Sequence, residues 1–496
     1  MSRHLAMTIA LLSACGGPPP VEHVRTGDTT VEVVREAPRQ RQSPPESGPA
    51  RDVRFPAITR AQTTHGLELD TVRSDNLPVV YLRLVVRSGS ATDPADLPGV
   101  AHLTAQMLKE GTRSRTSAQL AEAVEFLGAD LDVGSDSENA YISLRVLSEH
   151  LDAALDILAD VALRPRFDDQ ELGRLRRREL DRLALSANQP RYLARKFFYA
   201  GLYGSHPYAR VDTTPEAVQR ITRQQLVDWH RTHFVPNNAF LVAVGDVDAE
   251  RVRAGAERAF RGWRSRAVPE TAYTAPPQRT AREVVVVDRP ESVQSVIYVG
   301  NLALARNSPD YVPLMVANQV LGGSAASRLF MDLREQRSLT YGAYSSVNDA
   351  AQVAPFIAFA AVRNEVTAEA MGAFMEHLDR IVAEAPPEDE LANAQSYLSD
   401  SFPLQIETPA RIAYMVEEQR VYGLPDDYWD TFRTAIRSVA SDQAFGAART
   451  YIHPDRALIV AVGRASAVVE PLRRFGPVRV VDMQGREVQR LEASAD

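Results

Sequence analysis

The sequence holds one cysteine, Cys15, in 496 residues. Disulfide scaffolds, thiolate zinc sites and iron–sulfur clusters are excluded. Positive charge is also short, because 56 Lys and Arg against 64 Asp and Glu leave a formal charge of −8. With no basic excess to neutralise a phosphate backbone, nucleic acid is not an expected partner. Lysine is almost missing: Lys109 and Lys196 stand alone among arginines, a bias that carries no mechanistic weight. No apolar run is long enough to span a bilayer as a helix. What is present, 45% hydrophobic and 24% charged residues, excludes collagen-like, coiled-coil and wholly disordered chains and allows two or three folded domains.

The cysteine closes a signal-like segment. Arg3 and His4 precede an apolar run, Leu5 to Leu12, followed by Ser13, Ala14 and Cys15, the shape of a secretion signal. Leu12-Ser13-Ala14-Cys15 resembles a bacterial lipobox, the plain alternative being a buried cysteine at a ragged terminus. The resemblance implies that residues 1–14 are a signal peptide and that Cys15 is lipidated. It also implies a lipoprotein of the bacterial cell envelope, anchored on the periplasmic side of the outer membrane. From Gly16 to about Ala57 the composition turns to Pro, Arg, Glu, Ser and Thr, so 15–57 is expected to be a disordered tether.

The folded body is a repeat. Pro236-Asn237-Asn238-Ala239-Phe240-Leu241-Val242-Ala243-Val244-Gly245 returns 218 residues later as Pro454-Asp455-Arg456-Ala457-Leu458-Ile459-Val460-Ala461-Val462-Gly463, with six identities. Each copy reads as a turn followed by a buried strand. Two homologous lobes follow, residues 58–265 and 284–484. Between them 266–283, with Pro269, Pro276 and Pro277, reads as a linker, and 485–496 as a tail. Short β-branched runs such as Val79–Val86 and Val284–Val287 alternate with long helical patterns. One spans Thr116 to Leu127, capped by Thr116 or Ser117, and another is arginine-rich over Asp168 to Ala187. The expected fold class is α+β, each lobe a mixed sheet covered on one face by helices.

After the first strands, Leu97-Pro98-Gly99-Val100-Ala101-His102-Leu103-Thr104-Ala105-Gln106-Met107-Leu108 opens a helix. Together with the repeat and with Tyr203-Gly204-Ser205-His206-Pro207-Tyr208, this closely resembles the pitrilysin/insulinase family of zinc peptidases. The likeness is strongest to the family's bacterial branch that resembles the mitochondrial processing peptidase. The resemblance implies a helix reading H-x-x-E-H, in which two histidines hold zinc and the glutamate is the base for water. Here only His102 remains of those three. Ala105 stands at the base and Gln106 at the second ligand. The third ligand, a glutamate roughly 76 residues further on, falls on Arg182, or on Glu179 if the alignment slips by one helical turn. One histidine cannot make a catalytic zinc site, so the chain is expected to bind no metal. His230 and His233, near Trp229 and Asp228, lack a third ligand at recognisable spacing and read as the end of an amphipathic helix.

In the second lobe, Leu321-Gly322-Gly323-Ser324 leads into Leu333-Arg334-Glu335-Gln336-Arg337-Ser338-Leu339-Thr340-Tyr341. The glycines lack the lysine of a phosphate loop and read as a turn beside a substrate chamber. Arg334 and Tyr341 match in type and spacing the pair that, in the family, reaches from the C-terminal lobe toward a zinc site. A guanidinium can hold peptide carbonyls, and a phenol can stabilise an oxyanion. Some family members divide labour between two chains, and the pattern implied here is the one without zinc. The expected function is substrate binding and transition-state donation by Arg334 and Tyr341. The expected partners are a homologous zinc-bearing subunit, a peptide and, through lipid, a membrane. The alternative is a non-catalytic peptide-binding or scaffold protein of the same fold.

Overall fold

The computed structural model of the chain describes residues 21–26, 29–34 and 53–494. Cys15 and the signal segment lie outside the described residues. Within the stretch expected to be a tether, strands β1 (Val21–Thr26) and β2 (Thr29–Val34) pair antiparallel, and they form a unit separate from the body.

The body holds two sheets. The first lobe contributes β3 (Ile58–Gln62), β4 (Glu68–Arg73), β5 (Val79–Val86), β6 (Asp130–Ser135), β7 (Ala140–Leu147) and β8 (Ala239–Gly245), in the order β3-β4-β8-β5-β7-β6. The second contributes β9 (Glu283–Asp288), β10 (Gln294–Leu302), β11 (Thr340–Val347), β12 (Pro355–Arg363), β13 (Leu458–Gly463), β14 (Val478–Val481) and β15 (Glu487–Leu491). Their order is β11-β12-β10-β13-β9-β14-β15. Strands β4 to β8 and β9 to β13 therefore occupy the same relative places, and the corresponding pairs β4 with β8 and β9 with β13 are parallel; in the second sheet β14 also runs parallel to β9, and the remaining pairings are antiparallel. The repeated decapeptides supply the equivalent strands β8 and β13. Every residue of both is buried, which fits an apolar run shielded on two faces.

That double shielding corrects the expectation of helices on one face only. Helix α1 (Val100–Leu108) joins the first lobe's own core. Helices α2 (Asp169–Ser186) and α3 (Pro190–Tyr203) follow later in that lobe, but α3 buries Leu193, Ala194, Phe198 and Leu202 against Val285, Val287, Val460 and Val462 of the second sheet. In return, α6 (Pro409–Val421) of the second lobe, which follows α4 (Tyr311–Leu321) and α5 (Thr367–Ala383), sets Ile412, Met415 and Val416 in one cluster with Val85, Phe240 and Val242 of the first sheet. Each sheet thus lends a helix to the other. The segment read as a tail also differs: β15 within it pairs with β14.

Candidate functional site

Helix α1 begins where Gly99 adopts φ 106°, a conformation that suits glycine, and a Cβ there would lie 2.4 Å from Thr213 Oγ1. The Asp93 carboxylate accepts hydrogen bonds from the backbone N–H of Gly99 (2.6 Å) and Ala101 (2.8 Å), groups that have no partner within the helix. Burial outweighs those bonds and pushes the Asp93 carboxyl up to about 6. His102 emerges one turn later, about 29% exposed. Ala105 is fully buried. Gln106 turns away, its Nε2 donating to Val133 O on β6 at 3.3 Å.

Helix α2 meets this face. Asp168 caps it through the N–H of Gln170, and the helix buries Leu172, Leu175, Glu179 and Leu183. Glu179 Oε1 lies 3.4 Å from His102 Nε2, so the glutamate one turn before Arg182 is the one brought to the histidine. Arg182 donates from Nη2 to Glu179 Oε1 and to Asp212 Oδ1, each at 2.6 Å. Burial works against the Glu179 carboxylate, yet the His102 and Arg182 contacts outweigh it and hold its pKa down to about 2. Hydrogen bonds to Glu179 and Asp212 raise that of the guanidinium. Beside this network lies a cavity of about 350 Å³ lined by Asp93, His102, Asp136, Tyr199, Tyr208 and Asp212. Asp212 had no signal in the sequence, because its contact with Arg182 spans 30 residues and arises only from the packing of the fold.

The donors present do not fit a zinc ion as the family holds one. The second-ligand position offers an amide already committed to a carbonyl, the base position offers a methyl group, and a guanidinium occupies the carboxylates. Among the described residues no three His, Cys, Asp or Glu side chains stand ready to hold a metal ion.

His230 and His233 are held by hydrogen bonds in the core of the first lobe. His230 Nε2 lies 2.8 Å from Ala162 O and His233 Nδ1 2.9 Å from Ser88 Oγ, and burial pushes each down to about 4. His206 accepts from the Tyr208 N–H through Nδ1 and stacks on Tyr273.

Arg334 and Tyr341 occupy an irregular corner of the second lobe. The turn Arg328–Phe330 continues as a π-helix over Met331–Gln336. Ser338 has φ 54°, and β11 opens with a bulge between Thr340 and Ala343. Such departures concentrate where a side chain is re-aimed. Their result is that Tyr341, in the bulge of an edge strand, is 89% exposed. Its side chain makes no hydrogen bond or ring contact among the described residues. Arg334 lies over the Phe330 ring at 4.9 Å and 3.4 Å from Glu335. Neither residue touches the His102 network within the chain. The glycine turn is tied to the same strand, the Ser345 N–H donating to Gly322 O at 2.8 Å.

Sequence comparison matches residues 71–212 to the family model described as Insulinase (Peptidase family M16) and residues 220–398 to Peptidase M16 inactive domain. An uncharacterised zinc protease of Mycobacterium leprae is 28% identical over 365 residues, covering 71% of this chain and 80% of that protein. One of Streptomyces coelicolor is 26% identical over 418 residues, covering 79% and 90%. Among solved structures, a peptidase M16 inactive domain from Pseudomonas fluorescens superposes with a TM-score of 0.77 at 27% identity, covering 83% of this chain and 99% of that one. A protease from Helicobacter pylori gives the same TM-score at 17% identity, covering 82% and 99%, a likeness of fold.

Proposed function

The chain belongs to the insulinase family, peptidase family M16, and from that premise we propose that it is the zinc-deficient subunit of a two-chain peptidase, with no hydrolysis of its own. The observation that carries this reading is Tyr341, a large aromatic 89% exposed in the bulge of an edge strand, seven residues after Arg334. Such a side chain gains nothing from burial within the chain, and a contact surface is where it would be used. In this reading a homologous subunit brings the zinc and the base. Tyr341 Oη donates to the scissile carbonyl oxygen as negative charge develops there, and the Arg334 guanidinium holds a neighbouring carbonyl of the peptide.

Tyr341→Phe removes one hydroxyl. In the reconstituted pair it should lower turnover by about 10²-fold, as for loss of one oxyanion donor, while the complex persists on size exclusion. Arg334→Ala should act more on KM. Unchanged kinetics for both variants in intact complexes would exclude the shared site and favour a scaffold. The Leu12–Cys15 segment supports a lipid anchor on the cell envelope. Cys15→Ser is then expected to shift the protein from the membrane to the soluble fraction, and retention after a salt wash would count against the anchor.

A further inference from the structure

A second groove on the first lobe, of about 650 Å³, shares no residue with the cavity beside His102 and is lined by eight arginines and no aspartate or glutamate. It lies between the end of helix Leu151–Leu163, the entry to α2, helix Arg223–His233 and the turn after helix Ala249–Ala259. Its floor is aromatic. Phe167 meets His230 edge-on at 5.6 Å, His230 stacks on Phe234 at 4.5 Å, and Trp263 donates from Nε1 to Phe234 O at 2.9 Å. Phe167, Phe234 and Trp263 are buried, while the arginines stand exposed around them. Three arginines have acidic partners: Arg164 with Asp160, which also holds Arg115, Arg166 with Asp168, which caps α2, and Arg231 with Asp228. Arg223 donates to the backbone carbonyls of Phe167 and Arg166, so its charge stays uncompensated. Arg113, Arg261, Arg264 and Arg266 have no side-chain hydrogen bond, ion pair or ring contact among the described residues. Guanidinium groups gathered in this way repel one another, and they form a local exception in a chain of formal charge −8. Phe167 adds an independent observation. Its φ of 49° is rare for a bulky residue, and backbone held in that region concentrates at ligand clamps.

We propose that this groove binds a molecule carrying two or more phosphate groups. A guanidinium presents its N–H groups as a planar fork that matches two oxygens of one phosphate. Each phosphate brings about 1.5–2 negative charges and three acceptor oxygens at neutral pH. Two or three of them therefore neutralise the uncompensated arginines within the space of a small-molecule site. Carboxylates along a peptide bring one charge each at wider spacing, which leaves part of the cluster unpaired. The phosphates belong either to a soluble ligand or to a lipid headgroup, since the same fork contacts serve both. The inference concerns the first lobe alone and is independent of the two-chain reading.

The test uses the full chain carrying Cys15→Ser, so that no acyl chain contributes, and titrates inorganic tripolyphosphate by calorimetry. One equivalent should bind, more weakly as salt is raised. Arg261→Gln/Arg264→Gln removes two side chains that contact nothing in the chain and should weaken binding by about 30-fold. Arg174→Gln/Arg253→Gln makes the same change of net charge at exposed ion pairs elsewhere and should leave binding unchanged, with circular dichroism confirming that each variant is folded. Flotation with vesicles of phosphatidylcholine, alone or mixed with cardiolipin, which carries two phosphates, separates the sources. Recruitment by cardiolipin that Arg261→Gln/Arg264→Gln abolishes supports the proposal with a headgroup as ligand, and tripolyphosphate binding without recruitment supports it with a soluble one. Binding of neither, an equal loss in both double variants, or a glutamate-rich peptide held as tightly as tripolyphosphate overturns it.

Discussion

Gln106 and Arg182 disable the first-lobe site by different means. The glutamine replaces an imidazole nitrogen with an amide, a weak metal ligand, and turns its Nε2–H to Val133 O; restoring a histidine would cost only that one bond. The arginine adds a charge. A divalent ion about 4 Å from a guanidinium is repelled by about 8 kcal/mol at an effective dielectric of 20, a large part of the roughly 10–16 kcal/mol with which structural zinc is held. Ala105→Glu with Gln106→His is therefore expected to leave the chain free of zinc and inactive on peptides, whereas adding Arg182→Ala should admit the metal. Metal analysis after dialysis decides it: one zinc per chain in the double variant would mean that Arg182 is not the obstacle. The loss of the motif was legible at His102, Ala105 and Gln106 because those residues lie within one helical turn. The replacement was not legible, because Arg182 could be placed near His102 only through an inexact spacing and Asp212 not at all. In the structure Glu179 is the carboxylate that lies beside the histidine.

At the scale of elements, local signals held where they were local. The helix expected over Thr116–Leu127 is Ser117–Phe126 with Thr116 in a capping box, and the one expected over Asp168–Ala187 is α2 with Asp168 as its cap. Side-chain oxygens that satisfy the first free N–H groups mark such ends within a few residues. Strand β15 escaped because four of its five residues are exposed and the fifth half-buried, which removes the apolar alternation that reveals a strand. The π-helix at Met331–Gln336 and the bulge of β11 escaped for another reason. Both insert a residue into a regular pattern, and composition carries no record of that. Yet together they turn Tyr341 outward rather than into the sheet, so the position on which the shared-site reading depends is a property of these two irregularities. The R-x6-Y spacing alone does not confer it.

For the whole molecule, the exchange of α3 and α6 makes each lobe's core incomplete without the other, which no periodicity could disclose because an amphipathic helix does not name the sheet it covers. The seam is also polar. Arg83 on β5, 2% exposed, pairs with Glu417 on α6, 5% exposed, and donates to Ser143 Oγ at 2.8 Å. Its guanidinium lies between the rings of Tyr141, at 3.8 Å, and Tyr414, at 4.4 Å. Nearby, Arg420 of α6 holds both oxygens of the fully buried Asp70 at 2.7 Å. Burial drives the Glu417 carboxyl upward against the attraction of Arg83, so the pair depends on both members being present. Glu417→Ala strands a buried guanidinium and should lower the unfolding free energy by about 3–5 kcal/mol, while Arg83→Met/Glu417→Met should recover most of that loss because neither charge remains. Urea unfolding followed by circular dichroism and by tryptophan fluorescence reads both the size and the unity of the effect, Trp229 and Trp263 lying in the first lobe and Trp429 in the second. A single transition that moves as a whole to lower urea is expected, since neither sheet can keep its second face covered once the other lobe opens. Two transitions, with only one displaced by the substitution, would mean that the exchanged helices do not bind the lobes into one cooperative unit.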